Sequence, residues 1–183
     1  MPLEVWTIGH STRSAQEFLS LLQAHGIEAL VDVRRFPGSR KHPQFGAEAL
    51  ASTLQSNGMA YAWLDKLGGR RRPDPASPNV GWRNDSFRAY ADHLASPEFA
   101  EGLAELLHIA SARRTAMMCS ELVWWRCHRG LIADALLFSG IAVTHILDVH
   151  KTSPHPYTPP ARVRDGELVY SLDGEPLSRR ACC

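Results

Sequence analysis

Glu4-Val5-Trp6-Thr7-Ile8-Gly9, Ser14-Ala15-Gln16-Glu17 and Ala29-Leu30-Val31-Asp32-Val33-Arg34 lie in the stretch that decides the fold class. The first six residues are rich in β-branched and aromatic side chains and close on glycine, which predicts a strand. Ser14 with Glu17 three residues later predicts a capped helix start. Phe18, Leu21, Leu22 and His25 then share one helical face, and Gly26 is the stop. Ala29–Arg34 reads as a second, mostly apolar strand. Strand, helix and strand within 34 residues form a βαβ unit, and this implies a parallel pair.

Working outward, the chain repeats this alternation. Helical patterns are expected over Ala47–Gln55, Ser86–Ala95, Pro97–Ala110 and His128–Ser139, the third with proline at its favoured starting position. Strands are expected at Met59–Leu64, Thr115–Cys119 and Ala142–Leu147. The order predicts a single Rossmann-like three-layer α/β domain over residues 1–150, built on a mostly parallel open sheet. Residues 151–183 read as a proline-containing C-terminal extension packing on it. Thr152–Pro160, with four prolines, is expected to be linker-like or wrapping. A small hairpin is expected around Asp165-Gly166. Between Gly68 and Gly81 the periodicity is lost, and loops of that length in a compact domain are usually functional or disordered.

The composition agrees. With 183 residues, 44% of them hydrophobic, the chain is about one ordinary domain with its own core and is not disordered as a whole. No run of ~18 apolar residues is present, so no membrane span is expected. The N-terminus lacks a signal-peptide pattern. The expected compartment is the cytosol, where four cysteines are better read as thiols than as a disulfide scaffold. The net charge of +1 hides a segregation. Residues 34–83 carry nine basic and three acidic side chains, between two acidic segments. Seventeen of the twenty basic residues are arginine, whose planar fork suits carboxylates and phosphates. A GC-rich genome would produce the same bias.

Ligands of open parallel sheets bind beyond the carboxyl ends of the strands. The residues just past each expected strand are therefore informative. The first strand runs into His10-Ser11-Thr12 and the second ends with Asp32 and Arg34. The third runs toward Gly68-Gly69-Arg70. The fourth ends at Cys119-Ser120-Glu121, shortly before Cys127-His128-Arg129. That last group opens a helix, whose free N–H groups and positive dipole end favour an anion or a thiolate. Cys119, Glu121, Cys127, His128 and Arg129 are thus the candidate catalytic residues, with Glu121 or His128 as proton carriers. His10, Ser11, Asp32, Arg34 and Arg70 are the candidate substrate-binding residues. Asp32 and Arg34 could equally form an internal ion pair, Cys119 could be a small buried hydrophobe, and His10-Ser11 a cap.

No cofactor is expected. The sequence has no Walker loop, no G-x-G-x-x-G and no C-x-x-C. Zinc held by Cys119, Cys127, His128 and His10 is the alternative, although the spacing of the cysteines is not a standard one. The expected partner is an anionic small molecule or a nucleic acid. Trp63, Trp82, Trp124 and Trp125 beside Arg70-Arg71-Arg72 offer the aromatic and basic surface that single strands use. Tryptophans are equally core residues. Cys182 and Cys183 read as a frayed end.

Thr7-Ile8-Gly9-His10-Ser11-Thr12, Leu30–Arg34 with Pro37 and Ser39, Leu67-Gly68-Gly69, and Cys119-x-Glu121 with Cys127-His128-Arg129 resemble the domain-of-unknown-function 488 family. The resemblance runs from about Val5 to Leu147, and His155-Pro156-Tyr157-Thr158 is similar to the family's tail. It implies a Rossmann-like α/β domain and supplies no reaction. The motif positions it carries over are His10, Asp32, Arg34, Cys119, Glu121, Cys127, His128 and Arg129. A weaker similarity is to rhodanese-like sulfurtransferases, in the strand ending Asp32-Val33-Arg34 and the later strand ending in Cys119. The loop Cys119–Arg126 departs from that pattern. It is bulky and lacks the glycine and the close arginine that wrap an anion.

Overall fold

The computed structural model describes residues 2–177. The terminal cysteines, expected as a frayed end, lie outside the described residues. The chain runs β1 (Glu4–Gly9), α1 (Ala15–Ala24), β2 (Ala29–Asp32), α2 (Ala47–Ser56), β3 (Ala60–Trp63), α3 (Asp85–His93), α4 (Pro97–Ala112), β4 (Thr115–Cys119), α5 (Arg129–Phe138) and β5 (Ala142–Asp148). It then continues as β6 (Lys151–Pro154), β7 (Arg162–Arg164), β8 (Glu167–Val169) and β9 (Glu175–Pro176). The expected capping box is present. Ser14 Oγ accepts from the Glu17 N–H, and the Glu17 carboxylate accepts from the Ser14 N–H.

The main sheet has the order β3-β2-β4-β1-β5-β6, with the first five strands parallel and β6 antiparallel on β5. β1 and β2 are parallel as expected, but they are not neighbours, because β4 is inserted between them. Alternate strand residues face opposite layers. Trp6, Ile8, Leu30, Ala116 and Met118 pack against α1 and α2, whereas Val5, Val31, Met117 and Cys119 pack with Leu106 of α4 and Leu131 and Leu136 of α5. Both faces are covered, so the strands read as continuous apolar runs rather than alternating ones.

The insertion of β4 positions the site. The chain leaving β1 crosses through α1 to β2 on one side of it, and the chain leaving β4 crosses through α5 to β5 on the other. Two adjacent parallel strands whose connections part in opposite directions open a crevice at their carboxyl ends.

Thr152–Pro154, the start of the segment expected to be linker-like or wrapping, joins Lys151 in β6 on the edge of the main sheet. A proline is tolerated there because Pro154 is the strand's last residue. The hairpin falls where expected. Asp165 and Gly166 both have positive φ (53° and 80°), the geometry of a two-residue primed turn, and β9 adds a third strand.

A buried polar chain ties this tail to the core. The Asp134 carboxylate on α5 accepts from His155 Nε2 at 2.9 Å, the Thr158 N–H at 2.9 Å, the Thr158 hydroxyl, and the Tyr170 hydroxyl at 2.9 Å. An ionised carboxylate can only accept, so His155 carries its proton on Nε2 and its Nδ1 accepts from His145 Nε2 at 2.9 Å. His145 Nδ1 in turn accepts from the Thr7 hydroxyl at 2.7 Å. One carboxylate thus sets both tautomers.

Burial, with the neighbouring His155 and Arg129, pushes the His145 pKa down to about 2. His145 therefore stays neutral in the folded protein, while in the unfolded chain it takes up a proton near ~6.5. Stability is retained above that value and lost as the pH falls below it. Unfolding in urea is expected to show about 2 kcal/mol less stability at pH 5 than at pH 7 from this residue. His145→Gln should lack that part of the pH dependence. An unchanged slope in the variant counts against the assignment.

Candidate functional site

The hydrogen-bond ladder of the three central strands continues past their ends. The His10 N–H donates to Cys119 O at 3.0 Å, the Ser11 N–H to Ser120 O at 2.9 Å, and the Val33 N–H to Met118 O at 3.0 Å. Residues at the ends of three different strands are thereby held in one register. The loop leaving β4 crosses directly over Gly9, where an added Cβ would sit 1.8 Å from the Glu121 carbonyl oxygen. Gly69 lies against the His128 ring, with an added Cβ 3.0 Å from Nδ1.

These strand ends floor a cavity of about 810 Å³. Cys119, Cys127, His128, His10 and Arg34 line it, with Arg35, Arg40, Lys41, Arg70 and Arg126 around them. Six cationic side chains and one carboxylate, that of Glu121, thus line it, with Arg34 paired to Asp32 behind the wall and Arg35 3.8 Å from Glu98. Low-dielectric walls lined by one sign of charge concentrate the field inside a cleft.

At the floor the two thiols touch, with Cys119 Sγ 2.7 Å from Cys127 Sγ. His128 Nε2 lies 2.8 Å from Val33 O, which can only accept, so the ring proton is on Nε2. Its lone pair on Nδ1 is left facing Cys127 Sγ at 3.7 Å. The Arg129 N–H at the start of α5 points at Cys127 Sγ from 3.5 Å. The hydrogen bond with Cys127 holds the Cys119 thiol well below the usual thiol range, against the opposing effect of burial and with help from Arg129. Burial and that same bond push Cys127 up. The two thiols titrate as a pair, and the direction of the shifts makes Cys119 the more acidic of the two.

Arg129 is fully buried and does not reach the cavity wall. Its Nη2 donates to the carbonyls of Glu121 (2.9 Å) and Leu122 (3.0 Å), while Nε and Nη1 have no partner among the described residues. It fastens the loop and supplies a positive charge that favours a thiolate nearby. Asp32 is also fully buried. It grips Arg34 through two bonds of 2.9 and 2.6 Å and accepts from Tyr61 Oη at 2.7 Å. Of the two readings of Asp32 and Arg34, the ion pair is present, and it leaves Arg34 lining the cavity above it.

His10 stacks on Phe45 at 4.2 Å and donates from Nδ1 to Ser11 O at 2.8 Å. Its Nε2 lone pair then faces Arg34 Nη1 at 3.4 Å. Burial lowers its pKa. Ser11 has a positive φ of 51° and lies outside the cavity lining. Glu121 stands exposed at the rim. Arg70 lies at the mouth with its guanidinium 6.0 Å from the ring of Phe36, itself 66% exposed. Arg71 is taken up by Glu98 at 2.8 Å. Trp124 stacks flat on His145 at 4.7 Å and so joins the cysteine loop to the buried chain of the tail.

Cys119, Cys127 and His128 present donor atoms within 4.8 Å of one another, a set that a soft metal ion could use. His10, considered as a fourth ligand, is not part of that group, because its free lone pair is turned to Arg34.

Sequence reasoning missed Arg35, Arg40, Lys41 and Arg126 as wall residues, and it missed the Asp134 hub. The available signal for the hub was a lone carboxylate within the apolar run Leu131-Ile132-Ala133-Asp134-Ala135.

A family model described as Domain of unknown function DUF488 matches residues 14–136, from the cap of α1 through most of α5. The chain belongs to the DUF488 family. No match was found among curated proteins, nor among solved structures. The similarity to rhodanese-like sulfurtransferases finds no support in the comparisons. The DUF488 match includes Arg34, Cys119, Cys127 and His128, whereas His10 and the tail that binds Asp134 lie outside it. Among the described residues no helix is long and apolar enough to cross a membrane.

Proposed function

We propose that this protein is a thiol-dependent hydrolase or transferase acting on a phosphate-bearing substrate, a nucleotide or a segment of nucleic acid. The observation that carries this reading is the position of Cys119, a thiol with a thiolate-favouring partner, at the floor of a cavity with six cations in its wall. Arginine forks bind phosphate oxygens in pairs. Phe36, exposed at the mouth beneath Arg70, offers a stacking surface for a base. In this scheme Cys119 attacks the electrophilic centre while Arg34 and the rim arginines hold the anion. Glu121 or His10 supplies or takes the proton of the leaving group.

Iodoacetate and iodoacetamide test this directly, because they share one leaving group and differ in charge. Cys119 is expected to be alkylated at neutral pH, with the anionic reagent favoured over its ratio on glutathione by at least about tenfold, equivalent to ~1.4 kcal/mol of attraction. Inorganic phosphate should slow both reactions. A Cys119 that reacts only above pH ~8.5, or shows the glutathione ratio, overturns the reading.

A second reading, a nucleic-acid-binding module without catalysis, draws on the exposed Phe36 and Arg70 pair. It predicts single-strand binding that survives Cys119→Ala and is lost on replacing Arg70, Arg40 and Lys41. Arg71, fastened to Glu98, should contribute little.

A further inference from the structure

We propose that Cys127 is a resolving cysteine: when a hydroperoxide oxidises Cys119, the Cys127 sulfur closes a Cys119–Cys127 disulfide and so switches the site off reversibly. The inference rests on the reading of Cys119 as the reactive thiolate.

The geometry argues for it in three ways. The sulfurs are 2.7 Å apart with no atom between them, and both residues border the cavity, each with 4% of its surface exposed. They sit on separate elements, Cys119 closing β4 and Cys127 just before α5, so neither has to leave regular structure to meet the other. They are also closer than a shared metal would hold them, since two thiolates on a tetrahedral zinc lie about 3.8 Å apart at Zn–S distances of ~2.3 Å.

The chemistry balances with the hydroperoxide as oxidant. The Cys119 thiolate attacks the distal peroxide oxygen. The O–O bond breaks, and the alkoxide or hydroxide leaves and takes a proton, leaving a sulfenic acid. Cys127 then gives its proton to the His128 Nδ1 lone pair, 3.7 Å away, and attacks the Cys119 sulfur. The S–O bond breaks, hydroxide leaves, and the His128 proton turns it into water. Two thiols and one hydroperoxide become one disulfide, one alcohol (or water) and one further water. Two electrons pass from sulfur to oxygen.

The reverse direction is also favoured by the site. Reduction restores the negative sulfur beside the buried cation of Arg129, whose Nε and Nη1 have no partner among the described residues. Stabilising the reduced form makes a disulfide easy to reduce.

The test uses the full chain with Cys182→Ser and Cys183→Ser, which removes the chain's other two thiols. After hydrogen peroxide, peptide mass analysis is expected to show loss of both remaining thiols, a Cys119–Cys127 linked peptide, and recovery of both with glutathione. With Cys127→Ser, which keeps a hydrogen-bond donor beside Cys119, Cys119 is expected to go on to sulfenic acid trapped by dimedone and then to sulfinic acid. Iodoacetamide labelling in parallel separates the two claims. If Cys119 is alkylated at neutral pH but peroxide gives sulfinic acid equally with and without Cys127, the resolving role falls and the thiolate reading stands. If Cys119 is inert to both reagents, the thiolate reading itself falls.

Discussion

Asp134→Ala is expected to lower the unfolding free energy by about 3–5 kcal/mol, the range for removing one partner from a buried, charged network. The carboxylate is fully buried and takes four donors on its two oxygens. Alanine leaves those donors in place, cut off from water, and each unsatisfied group costs ~1–3 kcal/mol before relaxation. The four donors come from residues 155–170 and the acceptor from α5, so the loss falls on the junction between tail and core. His155 and His145 also lose the partner that fixes their tautomers, and Trp124 loses its stacking platform. Asp134→Asn keeps one oxygen and should cost clearly less than alanine. Urea unfolding of the three proteins at pH 7 measures both differences. A cost below about 1 kcal/mol for alanine would mean that the tail contributes little to the folded state.

Much of this architecture is legible in the sequence because it is written in local signals. Ser14 and Glu17 give a helix start, and Thr115–Cys119 gives a strand with the bounds the structure has. The strand ends, and with them His10, Arg34 and Cys119, can be grouped because parallel sheets gather ligand-binding residues at one edge. What local signals do not carry is which strand lies beside which. The βαβ unit over residues 4–34 fixes the direction of β2 relative to β1, but nothing in it reveals that β4, eighty residues later, comes between them.

The same limit divides the site residues. Asp32 and Arg34 are two apart at one strand end, and only their three-dimensional setting tells the buried carboxylate from the cavity-facing guanidinium. Arg129 comes directly after Cys127 and His128 in sequence, yet the turn into α5 carries it into the interior, where it grips the loop from behind. Thr152–Pro160 reads as linker-like or wrapping because of its four prolines, whereas its first three residues form part of an edge strand that tolerates Pro154 at its end. Asp134 accepts from residues up to 36 positions away, and the same network reaches Thr7, 138 positions from His145, beyond the reach of periodicity.

Gly9→Ala is expected to disable the thiol pair while leaving the chemistry-bearing residues themselves untouched. At this position an added Cβ meets the Glu121 carbonyl oxygen at 1.8 Å and its carbon at 2.7 Å. Both are backbone atoms, so no side-chain rotation relieves the clash. Either the end of β1 or the loop after Cys119 must move. The ladder bonds of His10 and Ser11 hold β1 to the first residues of that loop, and Arg129 holds the loop at Glu121 and Leu122. A shift at Glu121 therefore pulls on Cys119 from one side and on the Arg129 charge from the other. The cost in stability is about 1–3 kcal/mol, the usual range for overpacking. The larger effect is on reactivity. A Cys119 that loses its contact with Cys127 and its alignment with Arg129 returns toward the ordinary thiol value of ~8.5, where only a few per cent is ionised at pH 7. Alkylation by iodoacetamide at pH 7 should fall relative to the wild type, by at most about 30-fold, the limit set by a fully ionised thiol against one at that value. The measurement is made on protein whose circular dichroism shows it folded. A folded variant that alkylates at the wild-type rate would show that the loop over Gly9 does not set the state of Cys119.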